Sequence, residues 1–419
     1  MITDFLILIP FKMKIAILGT RGIPNNYGGF EQCAEYLAAG LIQKGFEVSV
    51  YNSHNHPYQK KEWNGVEIIH CYDPENKLGT AGQFIYDLKC ILDARKRNFD
   101  VILQLGYTSN SVWGWLLPGK SIVTTNMDGL EWKRTKYSGL TRKFLHYAEK
   151  LGVKYSNYLI SDSIGIQQYL NKKYKKQSVF IPYGAHLFNN NNAEVLKEFE
   201  LAPYSYDMLI ARLEPENSIE IILDGVTKSK IKRTFLVVGN HRAAYGELLK
   251  KKYARNGKIK FVDGIYNIEK LNNLRYYSNL YFHGHTVGGT NPSLLEAMAS
   301  GSLICANDNP FNKYILGKDA MYFTNADDVA AHLSKSKCSN EKYQRIIYNN
   351  RKKIEEIYNW DLIIDQYANH FEQITGKVKT QTLMKVIPGG KTIYKTEGLL
   401  LNDEKKRAVI KPLSNNNVA

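Results

Sequence analysis

Short, nearly continuous apolar runs recur along this chain, each followed by a stretch in which apolar residues return every three or four positions. The runs fall at residues 14–18, 47–51, 66–70, 100–104, 121–124 and 158–161. After a polar interval they resume at 208–211, 234–238, 258–262, 279–282 and 303–306. A strand that is apolar at consecutive positions is buried on both faces, which is the situation in a parallel sheet covered by helices. Between the first two runs, Cys33, Leu37 and Leu41 stand at fourfold spacing within residues 30–44, one face of an amphipathic helix. The alternation predicts an α/β protein with two doubly wound, Rossmann-like parallel-sheet domains.

The interruptions divide the chain. Residues 1–12 read as a flexible extension or a mis-called start, and 13–186 as the first sheet domain. The asparagine run 189–192 marks a linker over 187–204, since asparagine-rich segments are turn-prone. The second sheet domain follows over 205–352, then a single terminal helix over 353–375 and a tail over 376–419. In the tail, Pro388, Gly389 and Gly390 suit a hairpin, and the asparagine-rich end is expected to be disordered.

Composition narrows the class. With 419 residues, 44% hydrophobic and 23% charged, the chain is long enough for two ordinary cores and is globular. Its five cysteines are scattered without a CxxC pair, which argues for a reducing compartment and against a disulfide frame or a zinc site. The net charge of +16 calls for an anionic partner: nucleic acid, a membrane surface or a phosphorylated substrate. No apolar run approaches the ~20 residues of a bilayer span. The apolar residues 5–11 lack a basic flank and a small-residue cleavage site, so no signal peptide is expected.

The chemistry concentrates at residues 281–301. A short strand gives way to a glycine-rich loop at 283–290, and a helix opens with Asn291 as N-cap and Pro292 at its first position. Free amides and the positive end of the helix dipole then face the loop, a site for phosphate. Glu296, about one turn in, would repel that phosphate but accepts hydrogen bonds from neutral hydroxyls such as those of a ribose. The bland alternative is a tight turn with a surface glutamate.

Two further loops lie after strands, where ligands of open parallel sheets bind. One, residues 20–31, carries Arg21, Tyr27, Gly28, Gly29 and Glu31; its glycines do not fit the dinucleotide fingerprint, which argues against a nicotinamide enzyme. The other begins at Arg212, whose guanidinium suits a diphosphate.

In this order, the glycine pair, the Arg-Leu at 212–213 and the Glu-Ala-Met-Ala helix resemble the retaining family 4 glycosyltransferases, of two-domain glycosyltransferase-B fold. The longer stretches 20–31, 126–134 and 283–296 more closely resemble the bacterial rhamnosyltransferase-like branch that builds capsule and O-antigen repeat units. The resemblance covers residues 14–374. It implies a nucleotide-diphosphate sugar donor, dTDP-L-rhamnose as the branch suggests, held mainly by the second domain. It implies an acceptor, a lipid-linked (polyprenyl diphosphate) saccharide, held mainly by the first, with chemistry in the cleft between them. The implied donor set is Arg212, Asn217, Gly288, Gly289, Thr290, Asn291, Ser293, Leu295 and Glu296.

The match departs from the family pattern in three places. The first position of the Glu-x7-Glu motif is Gly288, and the lysine of the Arg-x4-Lys clamp is Asn217, so Arg21 is one candidate for the lost charge. His285 or the backbone of 288–290 would replace the missing sugar contact. Where many relatives have a histidine, this chain has Asn126-Met127-Asp128. Asp128 is the best protein base, with Glu31 and Glu131 weaker, although Asp128-Gly129 reads equally as a turn. His283 and His285 read equally as packed residues. Without an Asp-x-Asp pair or a ligand cluster near these loops, no cofactor and no metal are expected.

Residues 131–158 interleave lysines and arginines with aromatics, a pattern suited to the anionic inner face of a membrane. A sugar-nucleotide 2-epimerase of the same architecture is the alternative enzyme. A polyanion binder is the alternative class, but no nucleic-acid recognition motif accompanies the charge, and no nucleic-acid partner is expected.

Overall fold

The computed structural model describes residues 12–26, 28–134 and 137–376, with the backbone of 384–386 and 392–394. Its first sheet is built from β1 (Lys14–Leu18), β2 (Glu47–Ser53), β3 (Glu62–Trp63), β4 (Val66–Cys71), β5 (Val101–Leu105), β6 (Ile122–Asn126), β7 (Tyr158–Ser161) and β8 (Val179–Phe180). The strands lie in the order β3-β4-β2-β1-β5-β6-β7-β8. All pair in parallel except β3 with β4.

The second sheet is built from β9 (Tyr206–Ile210), β10 (Thr234–Val238), β11 (Ile259–Val262), β12 (Leu280–His283), β13 (Ile304–Asn307) and β14 (Met321–Phe323). Its order is β11-β10-β9-β12-β13-β14, parallel throughout. Every strand expected from the apolar runs is present. The two-residue β3 and β8 and the three-residue β14 have no apolar run long enough to announce them.

Each sheet packs its own core, as runs apolar on both faces require. In the first, Ile15, Ile17, Val50, Val101 and Leu103 are fully buried, as are Leu37 and Leu41 of the helix Gly29–Gln43. In the second, Phe235, Val237 and Phe282 meet Leu223 and Val226 of the helix Ile219–Lys228, with Val329 and Leu333 of the helix Ala326–Lys335. Each such side chain contributes about 1.5–3 kcal/mol on leaving water.

The expected linker is tied down. Asn192 accepts from the Glu194 amide, capping the short turn Ala193–Phe199, and Asn189 accepts from the Arg351 guanidinium at 2.7 Å. The single helix expected over residues 353–375 is two helices, Glu341–Glu356 and Trp360–Thr375. The chain at Ala185 crosses the gap between them: the Ala185 amide donates to the Tyr358 carbonyl at 2.7 Å, and Asn359 caps the Asp361 amide at 2.8 Å. A Cβ on Gly184 would come within 2.7 Å of the Trp360 ring, so the crossing needs both the break and the glycine.

The chain divides at Ala368 and Asn369 into two compact units. The second holds the end of the last helix and an antiparallel pair, β15 (Met384–Val386) and β16 (Thr392–Tyr394), on either side of the expected hairpin turn. In the first unit, Ile364 packs on Gly40, where a Cβ would lie 2.4 Å from its Cδ1. Overpacking such a site typically costs about 1–3 kcal/mol. Gly40→Val should therefore lower the urea unfolding midpoint by that amount of stability while leaving the slope unchanged, measured by circular dichroism.

Candidate functional site

The helix Pro292–Ala299 begins as its sequence requires, with the Asn291 side chain accepting from the Ser293 amide at 2.9 Å. One turn in, Glu296 is held from two sides. Its Oε2 pairs with Arg275 at 2.6 Å and its Oε1 accepts from Gln32 Nε2 at 3.0 Å. Arg275, on the helix Ile268–Tyr276, is 1% exposed and also donates to Ser293 Oγ at 3.1 Å. A desolvated guanidinium needs a partner of opposite charge, and Glu296 supplies it. Each carboxylate oxygen accepts one of these bonds and has further lone pairs, so the group can still take hydroxyl donors. Gln32 comes from the first sheet's leading helix, so this contact spans the two sheets.

The glycine loop lies directly against the carboxyl ends of β6 and β7. Asp162, just past β7, accepts from the Thr290 amide at 2.8 Å through Oδ2, and its carbonyl accepts from the Thr290 hydroxyl. A Cβ on Gly289 would fall 1.9 Å from the Asp162 carboxylate, and one on Gly129 3.0 Å from Gly288. On the other side, a Cβ on Gly29 would be 3.5 Å from Pro292, so the glycine pair of the first loop also faces this helix start.

Asp162 is fully buried, and burial pushes its carboxyl well above the usual range, with the neighbouring Asp128 charge acting the same way. Asp128 is also raised by burial, opposed by Arg134 and Arg212. Its φ of +44° and the bond from its amide to Asn126 Oδ1 at 2.9 Å make it a turn residue as well as an acid in the cleft.

His285 stacks on the buried His283 with ring centroids 4.5 Å apart. Burial first, then the charges of Arg212 and Arg134, depress its pKa to about 3. A neutral imidazole at physiological pH can orient a hydroxyl but has no proton to release as an acid. Arg134, from the first sheet domain, pairs with Glu131 at 2.8 Å and reaches the buried Glu216 of the second at 3.9 Å.

Arg212 is exposed at the mouth. The Asn217 side-chain amide donates to the Arg212 carbonyl at 2.8 Å and so braces the loop that carries Arg212. Leu295 is fully buried in the second core and offers a ligand at most its backbone.

In the first loop, Arg21 donates two bonds to Glu75, at 2.9 and 2.7 Å, and holds that carboxyl below its usual range. The guanidinium expected to replace the missing clamp lysine is thus already neutralised. Glu31, 4% exposed, accepts from Thr20 Oγ1 and from the Arg21 amide, which ties it into the loop. Tyr27 lies outside the described residues. Arg275, Asp162, Gln32 and Glu216 were not singled out by sequence. Arg275 sits in the polar helix IEKLNNLRY, and Asp162 reads as a cap beside Ser163. The one available signal was for Arg134, at the end of the stretch 126–134.

The basic and aromatic segment after Glu131 splits in two. Trp132, Tyr169, Tyr174 and Lys173 all donate to the buried Glu149, at 2.6 to 2.9 Å. Leu140 and Tyr147 are 79% and 55% exposed, on a helix face with the exposed Lys143, Lys150 and Lys154. Among the described residues, no helix is long and apolar enough to cross a membrane, and no three His, Cys, Asp or Glu side chains gather as a metal site.

Solved structures match this arrangement over most of the chain. Sucrose-phosphate synthase from Thermosynechococcus elongatus superposes with a TM-score of 0.72 at 16% identity, over 88% of this chain and 100% of that one. Anabaena Alr3699/HepE in complex with UDP and glucose gives 0.67 at 16% identity, over 86% and 100%. WaaG, a glycosyltransferase involved in lipopolysaccharide biosynthesis, gives 0.64 at 13% identity, over 87% and 100%. The fold is glycosyltransferase-B.

Within this glycosyltransferase-B fold, a family model described as a domain of unknown function, DUF1972, matches residues 115–186, which include Asp128, Arg134 and Asp162. An uncharacterized 42.6 kDa protein in the cps region of Klebsiella pneumoniae is 41% identical over 59 residues, 14% of this chain and 16% of that protein. The match thus spans about a sixth of that relative's length.

On the first-sheet side, burial raises the Asp87 carboxyl to about 7, with Asp73 adding to the rise and the Ser109 hydroxyl opposing it. A carboxyl whose folded pKa is raised takes up protons on folding, so its contribution favours the folded state at low pH and is lost as pH climbs from about 4 to 7. Asp87→Asn should remove that part of the pH dependence: unfolding midpoints of wild type and variant, compared at pH 5 and pH 8, should show the variant gaining relative stability at pH 8.

Proposed function

We propose that the chain is a retaining glycosyltransferase of family 4, in the rhamnosyltransferase-like branch. In this reading it moves a sugar, L-rhamnose from dTDP-L-rhamnose as first choice, onto a lipid-linked (polyprenyl diphosphate) saccharide for capsule, O-antigen or exopolysaccharide synthesis. The observation that carries the proposal is the meeting of the glycine loop before the Pro292–Ala299 helix with the carboxyl ends of β6 and β7, and of Glu296 in that helix with Gln32 of the helix after β1. The UDP and glucose in the complex of the similarly folded Anabaena protein support a nucleotide-sugar donor. The cps-region relative supports polysaccharide synthesis.

In this reading the ribose hydroxyls donate to Glu296, held ready by Arg275 and Gln32. The diphosphate lies at the helix N-terminus with Arg212 beside it, and these fixed dipoles and charge stabilise it as it leaves. No metal takes part. Asp128, made more basic by burial, orients the acceptor hydroxyl or receives its proton; where the donor phosphate is the base, Asp128 only orients. His285, neutral, contacts the sugar.

The test is thermal unfolding with saturating dTDP, UDP, GDP or NAD, on wild type and Glu296→Gln, which preserves shape and leaves Arg275 an acceptor oxygen at that position. A nucleotide at ~100 times its dissociation constant stabilises by about 2.7 kcal/mol. Stabilisation by dTDP or UDP that shrinks sharply in Glu296→Gln is expected; a wild type indifferent to all four removes the donor site.

The enzyme works at an anionic membrane surface in this proposal, through the face bearing Leu140, Lys143, Tyr147, Lys150 and Lys154. Each surface lysine adds about 1 kcal/mol of attraction to anionic lipid. Reversing Lys143, Lys150 and Lys154 to Glu should weaken sedimentation with phosphatidylglycerol vesicles on the order of a hundredfold at low salt. Equal binding of wild type to neutral phosphatidylcholine vesicles would count against the electrostatic contact.

A further inference from the structure

Gly288 stands where the resembled family carries a carboxylate, and φ of +146° keeps a side chain from that position. A Cβ there would meet nothing within 4 Å, so the missing side chain leaves open space beside the helix start. The neighbouring residue is covered from across the cleft. Both Asp162 oxygens would fall within 2.0 Å of a Cβ on Gly289, so they lie on the loop itself. Asp162 Oδ2 is engaged by the Thr290 amide, while among the described residues Oδ1 has no hydrogen-bond partner, although the residue is 0% exposed. A buried carboxylate oxygen without a donor costs free energy unless something supplies one or a proton neutralises it.

Resting on the donor reading above, we propose that Asp162 is a sugar-recognition residue. Its Oδ1 accepts a hydroxyl of the donor sugar, replacing from the first sheet the carboxylate that Gly288 lacks in the second. The geometry favours this because a diphosphate at the start of the Pro292–Ala299 helix sets the sugar beside the same loop. Hydroxyl recognition by a buried acceptor is selective, since a sugar without that hydroxyl leaves the carboxylate unpaired. The arrangement also couples donor choice to the approach of the two sheets, because the recognising atom and the phosphate amides belong to different domains.

Asp162→Asn tests it. Asparagine keeps a carbonyl for the Thr290 amide and the shape of the group but loses the carboxylate. Isothermal titration of wild type and variant with UDP and dTDP, then with UDP-glucose and dTDP-L-rhamnose, separates the contributions. The expected result is nucleotide affinity unchanged within about twofold, and affinity for the bound nucleotide sugar reduced about tenfold or more, each tenfold being about 1.4 kcal/mol. Equal weakening of nucleotide and nucleotide sugar would assign Asp162 to holding the loop and overturn the proposal. Tighter binding of both would make it a tethered anion competing with phosphate and overturn it too.

A wild type that binds no nucleotide fails the donor reading first, and is distinguished by that control arm. Should the variant not fold, deoxy analogues of whichever nucleotide sugar wild type binds give the answer alone. One hydroxyl position should carry the loss, and no loss at any position overturns the proposal.

Discussion

The two sheets can meet as they do only because no side chain stands on Gly289. The loop after β12 rests on the Asp162 carboxylate at a separation that excludes even a methyl group. From that approach follow the Thr290 contacts, the closeness of Gly129 to Gly288 and the reach of Gln32 to Glu296. A glycine costs backbone entropy on ordering. Here the cost is offset by contacts that need it.

The charges around this meeting are arranged so that each buried one has an answer. Arg275 is matched by Glu296 within one domain, and Arg134 by Glu131 within the other, with Glu216 across. Asp162 is the exception: burial raises it and the Asp128 charge adds to the rise, whereas Asp128, itself raised by burial, is opposed by Arg134 and Arg212. Acids kept above their ordinary range in a cleft mark places where a proton or a hydroxyl is to be handled. The same cleft depresses His285, so acid and imidazole both favour their neutral forms. Burial is the common cause; Arg134 and Arg212 oppose it at Asp128 and add to it at His285.

Much of the fold was legible because parallel sheets write themselves in apolar runs. The helix cap at Asn291, the turn from β12 and the position of Glu296 were legible too, each depending on residues a few places apart. What was not legible depends on residues far apart in sequence. Gln32 and Glu296 are 264 positions distant, and Thr290 and Asp162 128. Local spacing holds no record of such pairs. The pairing of Arg21 with Glu75 was hidden for the same reason, the two standing 54 positions apart. The break before Trp360 was missed although Asn359, a good cap, stood in plain view, because the periodicity on either side was continuous enough to read through it.

The eight-stranded sheet ends at both margins in strands of two residues, β3 and β8. A margin that short exposes few unpaired amides and carbonyls, too few to template the growth of a foreign strand. Copies gathered at high local density therefore have little opportunity to join their sheets margin to margin. The long inner strands keep their pairing groups inside the molecule, and crowding presents them with polar loops and like charge instead of with each other's backbones.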